Sequence, residues 1–436
     1  MLCRRSSLCL LLSAFCLPST AQPLRLSVAD AVQRALHEGS RAQLAQTVEE
    51  RARIARTEAL QALFPQADAR IIRYNQSINL QTFGFSLPGQ PPVVGPFNVT
   101  DAQVEAAMQL FNLAAIRHYQ ALNQGESASR YALQRAENDV AAAVARLYVL
   151  TQRASTQISS RQAEIALFQR LLKVAQDEFN AGTGTRLDVA QATVQLDRAK
   201  QALLIAENDQ RTTLLALLNA IGLDQSTDVV LVDPLPAAAP PVPPVEAALA
   251  TARQERPELR EVEARVKEAS LGVSAARARK IPSVGFDFVG DYSGNRTRDL
   301  LWTRRIAATL GMPLFRADIN AAVARAKADL HDAEINRSQR QRDVEQDVRR
   351  SILNLENANA RVAVATENVR VAEEALNVAE DRRSAGYGTP VEVDRAQDSY
   401  RQAREDLIAA QADAAAALYD LQHATGEIRK TIEATR

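Results

Sequence analysis

The chain has 436 residues, with 52 acidic and 52 basic side chains, 5% aromatic residues and 16 glycines. Balanced charge with no basic block gives nucleic acid no electrostatic footing, and no apolar run is long enough to cross a bilayer as a helix. Long stretches rich in Ala, Gln, Glu and Arg with few breakers favour extended helix over a thick aromatic core.

In chain order, the first element is an export signal over residues 1–21. Arg4 and Arg5 supply the positive start, Leu8 to Leu17 the apolar run, and Ser19-Thr20-Ala21 the small-residue cleavage site. All three cysteines (Cys3, Cys9 and Cys16) fall inside it, so the exported chain is expected to use neither disulfides nor thiolates. Lipidation needs a small residue before the cysteine; Leu8 and Phe15 stand there, and no lipid anchor is expected.

Beyond the signal the chain reads as one unit built twice. VADAVQRALHEG, from Val28, resembles VEAALATARQER, from Val245, and each helix-period run that follows stops at a proline, Pro65 and Pro282. The period then falls toward two. Val284, Phe286, Phe288 and Tyr292, the turn SGNRTRD, and Trp302, Ile306, Ala308 and Leu310 predict a β-hairpin over 283–315 with one apolar face. The first unit predicts its hairpin over 66–112, with Ile72, Tyr74 and Ile78 facing Val104, Ala106 and Met108 and a longer Gly/Pro-rich loop between. Both hairpins end alike, at Leu110-Phe111 and Leu314-Phe315.

Two proline-free runs follow, from about Ala114 and about Asn320, each ~100 Å long as a helix at ~1.5 Å per residue. Val348, Leu355, Val362, Val369 and Leu376 recur every seventh residue beside Ala358, Ala365, Ala372 and Ala379, which is a coiled-coil seam. A second stripe, Val364, Val371 and Val378, lies on another azimuth and predicts a second neighbour. The return helices carry the same seam, in Leu196, Leu203 and Ala199 and again in Leu407, Leu421 and Ala410. The units span 22–231 and 246–426, joined by the proline-rich linker 232–245 and followed by a tail, 427–436.

Between long and return helices stand AGTGTRLDVAQA (181–192) and AGYGTPVEVDRA (385–396), related by one offset (386 − 182 = 204). Gly182 and Gly386 suit the left-handed residue that ends a helix. Thr185 and Thr389 are N-caps whose capping boxes close with Asp188 and Glu392, and Pro390 takes the first helical position. The tips are therefore 181–188 and 385–392. No strand precedes GTGT and no Gly-Lys-Ser/Thr follows, so no phosphate loop is expected. The four histidines, His37, His118, His331 and His423, have no partner at metal-ligand spacing and are expected on solvent-facing helix surfaces; no cofactor or catalytic constellation is read.

Four strands cannot close a barrel, for which about eight is the minimum. Copies must therefore associate, placing the tips in a ring where Asp188, Glu392 and Asp394 are candidates to line an aperture. Trp302, Phe286, Phe288 and Tyr292 are candidate membrane-interface aromatics. The doubled AGxGTxx[DE]V turn, the order helix, proline, hairpin, helix, and the export signal resemble the TolC family of outer-membrane efflux channels over essentially the whole exported chain. The resemblance implies a mainly α fold with a small β part. Three copies would share a barrel in the outer membrane, continuous with a periplasmic helical tunnel and ringed by a collar near the linker. It further implies a homotrimer contacting outer-membrane lipid and working with a periplasmic adaptor and an inner-membrane transporter of the RND or ABC type. Relatives often carry a basic residue near the second tip that ties the closed state; here Gly388 follows Tyr387 and the nearest basic residues are Arg382, Arg383 and Arg395. The alternative is a non-pore periplasmic adaptor or scaffold, disfavoured by the two amphipathic hairpins.

Overall fold

The computed structural model describes residues 23–84, 88–89, 91–236 and 238–434; the export signal at 1–21 lies outside them. The first unit runs β1 (Leu24–Leu26), α1 (Val28–His37), α2 (Ser40–Gln61), β2 (Gln66–Asn79), β3 (Val93–Phe111), α3 (Leu113–Asn180), α4 (Arg186–Ile221) and β4 (Val229–Leu231). The second runs α5 (Val245–Glu255), α6 (Pro257–Ala278), β5 (Ser283–Gly294), β6 (Leu301–Gly311), α7 (Ala317–Ser384), α8 (Pro390–Thr425) and α9 (Ile428–Ala434). The long helices α3 and α7 have 68 residues each, the return helices α4 and α8 have 36 each, and both pairs start 204 apart (317 − 113; 390 − 186).

Three features go beyond the sequence reading. Each pre-hairpin run is two helices, broken at Gly39 and at Pro257, because a β-region residue precedes α2 and α6. Outside the hairpins, β1 and β4 form a separate parallel pair, Leu24 to Val229 and Leu26 to Leu231. The tail is helix α9, whose Ile428 and Ile432 are fully buried.

The hairpin strands form one antiparallel sheet in the order β2-β3-β5-β6, leaving β2 and β6 as its edges. Its register sets the faces. Ile71, Ala102, Tyr292 and Trp302 share one row, Ala69, Val104, Gly290 and Arg304 the next, and Ala67, Ala106, Phe288 and Ile306 a third. The Trp302 indole lies over Gly290, where a Cβ would stand 2.1 Å from the ring, and its centroid is 4.7 Å from that of Tyr292. The opposite face is polar: Arg70 bonds Gln103 and Thr309 bonds Asp287. Ile72 pairs with Asp101 and Tyr74 with Val99, so these two side chains belong to the polar face and Ile71 to the apolar one. A one-residue difference in register reverses every side chain of a strand, and only the pairing decides it.

Packing concentrates at the middle of the long helices. Leu26, Val32, Ala35, Val144, Tyr148, Leu217, Leu218, Ile221, Ile428 and Ile432 form one core, and Val348, Ile352 and Leu355 centre another with Ala248, Ala252 and Leu421. Each buried Leu or Ile contributes about 1.5–3 kcal/mol. The Tyr148 hydroxyl donates to the Leu26 carbonyl at 2.9 Å and accepts from the Asp233 N–H at 3.3 Å, while the Asp233 carboxylate caps α1 by accepting from the Val28 N–H at 2.7 Å. Start of the chain and linker are thereby fastened to α3. Along the seam Val348, Leu355, Val362 and Leu376 are buried. Val364, Val371 and Val378 are exposed; among the described residues nothing covers that flank of α7.

Candidate functional site: the hairpin tips

The two tips turn out of their long helices by the same bonds. Ala181 ends α3, and Gly182 follows in the left-handed region at φ 78°; its N–H donates to the Phe179 carbonyl at 3.0 Å and that of Thr183 to Glu178 at 2.9 Å. In the second tip Gly386 has φ 80°, with bonds from Gly386 to Arg383 at 3.0 Å and from Tyr387 to Arg382 at 2.9 Å. This double bond pattern satisfies carbonyls orphaned at a helix end. The second glycine of each tip answers to space: a Cβ on Gly184 would lie 3.0 Å from the Phe179 nitrogen, and one on Gly388 2.8 Å from that of Arg383.

The return helices then start differently. The Thr185 hydroxyl accepts from the Asp188 N–H at 3.2 Å and the Asp188 carboxylate accepts from the Thr185 N–H at 2.8 Å, a complete capping box. The Thr389 hydroxyl accepts from the Glu392 N–H at 3.3 Å, but the Glu392 carboxylate does not return the bond, so the expected second box is half-formed. Pro390 occupies the first helical position. Glu392 stays exposed.

Between the tips lies a cleft of about 500 Å³ lined by all four helices at this end, α3, α4, α7 and α8. Asp188 and Asp394 both line it, together with Glu178, Glu380 and Arg383; Glu392 does not. Arg383 reaches Glu178 across the two hairpins at 3.9 Å. The Thr185 hydroxyl and N–H, with a further pull from Arg383, hold the Asp188 carboxyl below its ordinary range. Burial pushes that of Asp394 up, although Arg383 opposes this. Further up, Arg161 meets Glu405 at 2.8 Å and Arg401 meets Glu164 at 3.6 Å, tying α3 to α8. The arrangement is two tied hairpins with a polar, incompletely filled gap at their free end.

The outer membrane efflux protein family matches residues 32–223 and 248–427, both repeats. The chain belongs to that family. Among similar proteins, outer membrane efflux protein BepC of Brucella suis is 25% identical over 279 residues, 62% of this chain and 59% of BepC. Protein CyaE of Bordetella pertussis is 30% identical over 225 residues, 44% of this chain and 45% of CyaE. The aligned part of the chain thus spans about half the length of these curated relatives. The open-state MtrE outer membrane channel of Neisseria gonorrhoeae has the same fold, with a TM-score of 0.73 and 21% identity over 92% of this chain and 88% of MtrE. The mostly helical, TolC-like architecture agrees with that family, and an outer-membrane location goes with it.

Sequence reading of this efflux protein missed several residues that hold the fold behind the tips. Gly222 and Gly426, both left-handed and again 204 apart (426 − 222), end the return helices as Gly182 and Gly386 end the long ones. The repeated offset was the available signal. Arg256 is buried at the α5–α6 joint, with a forked contact to Glu258 at 2.8 and 3.2 Å and one to Asp347 at 3.4 Å. No local pattern announced it. His423 does not stand free in solvent but lies 2.8 Å from Asp139.

Proposed function

We propose that three copies of this chain form a passive exit duct, a β-barrel in the outer membrane continued by a helical tunnel through the periplasm. The observation that carries this reading is the open sheet: β2 and β6 are both unpaired edges, one face is apolar and the other polar. Unpaired edges in a membrane are untenable, and closure over three copies of four strands removes them all. The helical wall supports the same closure. Val364, Val371 and Val378 on α7 are exposed at one flank, and Leu44 and Val48 on α2 with Val194 and Ile205 on α4 are exposed elements of the other end of the wall. Joining these unlike flanks head to tail closes a ring.

In that ring the tips surround the periplasmic aperture. Asp188 and Asp394 act there through the cleft around Arg383, while exposed Glu392 faces the opening itself. Tyr292 and Trp302, next to the β5–β6 turn, mark the outer lipid interface, and Phe286 and Phe288 lie lower on the lipid face. The duct performs no chemistry of its own. A periplasmic adaptor engages the tips and an inner-membrane transporter of the RND or ABC type supplies the energy, in keeping with the efflux family and the name of BepC.

Fractionated membranes run unheated on a gel test this reading. An outer-membrane species near three times the monomer mass is expected; a soluble monomer would overturn it.

A further inference from the structure

The internal repeat fixes how neighbouring protomers join. Matching β2 to β5 by 217 (282 − 65, the two prolines) and β3 to β6 by 204 (315 − 111, the two phenylalanines) converts the first hairpin's register into the second's. Ala67 with Ala106 becomes Val284 with Leu310, Ile71 with Ala102 becomes Phe288 with Ile306, and Arg73 with Thr100 becomes Gly290 with Arg304, all of them observed pairs. The β3–β5 junction must therefore recur as a junction between β6 and β2 of the next protomer. Val104 with Gly290 becomes Ala308 with Arg73, Ala102 with Tyr292 becomes Ile306 with Asn75, and Ala106 with Phe288 becomes Leu310 with Ile71.

Charge on the apolar face is confined to this junction. Of its paired strand residues, only Arg73 on β2 and Arg304 on β6 are charged, one at each edge of the sheet. Both are exposed, and neither has an ion-pair partner among the described residues. An arginine facing lipid is costly at mid-bilayer and tolerated near the head groups. Arg304 is two residues from Trp302, beside the β5–β6 turn, and Arg73 shares a row with Thr100 and Gly294, the last residue of β5. Across the junction the two guanidinium groups are four residues apart along the strands, ~13 Å at ~3.3 Å per residue, with Asn75 between them.

The geometry points to a lipid site at each protomer junction, in which Arg304 and Arg73 of the next protomer each take one phosphate of a diphosphorylated glycolipid of the outer leaflet. A guanidinium matches phosphate with two parallel hydrogen bonds; Ile306 would lie beside Asn75 between the two arginines, and Leu310 and Ile71 below Arg73 would lie along the acyl chains. The site rests on the trimeric duct reading and is incomplete in one chain.

Two measurements on the full-length protein separate this site from that reading. All cysteines lie at or before Cys16, so the pair Ile71→Cys and Leu310→Cys reports the junction. Oxidation should link neighbouring protomers in purified trimers, and linkage only with Ala69→Cys or Arg73→Cys in place of Ile71→Cys would refute the register, hence the site, while leaving the duct intact. A monomer unable to cross-link would remove both. Purified trimers in nanodiscs are then titrated with lipid A, its dephosphorylated form and inorganic phosphate. Lipid A should bind about tenfold more weakly on Arg73→Gln or Arg304→Gln, the strength of a charged hydrogen bond, and more weakly still on the double variant with its trimer intact. Arg304→Lys should recover only part. Equal binding by the double variant, equal binding of the dephosphorylated lipid, or displacement by millimolar inorganic phosphate would each overturn the proposal.

Discussion

Arg383 on α7 and Glu178 on α3 meet at 3.9 Å across the mouth of the inter-hairpin cleft, joining hairpins whose tips otherwise part around a polar gap. Both side chains are partly exposed, so the pair contributes only about 0–1 kcal/mol. Its importance lies in position. In the proposed trimeric duct, Arg383→Ala should leave thermal stability nearly unchanged while raising conductance in planar bilayers several-fold. A variant with wild-type conductance would show that the tie does not restrain the tips.

The unequal capping boxes give a second expectation. Thr185→Ala removes a hydroxyl acceptor from a reciprocated box and Thr389→Ala one from a half-formed box. Each should destabilise its return-helix start by about 1 kcal/mol, with the larger loss at Thr185. Amide hydrogen exchange over the first turns of α4 and α8 resolves the two; equal increases would mean that the Asp188 bond adds nothing.

Asp188 and Asp394 should respond to pH with opposite signs. Asp188 is held low by Thr185 and then Arg383, so its contribution is present at neutral pH and disappears as pH falls through its lowered folded value. Asp394 is raised by burial, so its ionised form weakens the tip above its folded value and acidification relieves that strain. Asp394→Asn should slow tip hydrogen exchange at neutral pH. Asp188→Asn should quicken it there and flatten the loss seen on acidification. The reverse pattern would assign the titration to other groups.

Arg256 offers a test far from the tips. Replacing it with Met leaves Glu258 buried without its partner, a loss of about 3–5 kcal/mol, read as a lower thermal unfolding temperature. Arg256→Met with Glu258→Met should recover most of the loss, because an apolar pair needs no compensating charge. If the double variant fails as badly as the single, the contacts of Arg256 to Asp347 and the Ala424 carbonyl matter more than the pair.

Local rules made the tips legible in the sequence. A left-handed glycine at Gly182 or Gly386 and a threonine cap three residues later depend on neighbours within one turn, so composition and spacing sufficed. The heptads of α7 were legible for the same reason, since a seven-residue period fixes which stripe faces a partner. The candidate site was only half legible. Asp188, Glu392 and Asp394 were all aperture candidates along the chain, the first two also as caps, yet two enter the cleft and Glu392 does not, because azimuth around a hairpin pair depends on how α4 and α8 sit against α3.

By itself, then, the sequence determined the duplication, the breaks at proline and glycine, the long helices and the hairpins, all products of short-range sterics and periodicity. The tertiary structure alone decided the β2–β3 register that moves Ile72 to the polar face, the β1–β4 pair, the burial of α9 and the clamp at Arg256. These depend on contacts between residues far apart in the chain, such as Leu24 with Val229 and Arg256 with Asp347. No local propensity encodes such a contact; burial of apolar surface and pairing of buried charge select it once the helices are stacked.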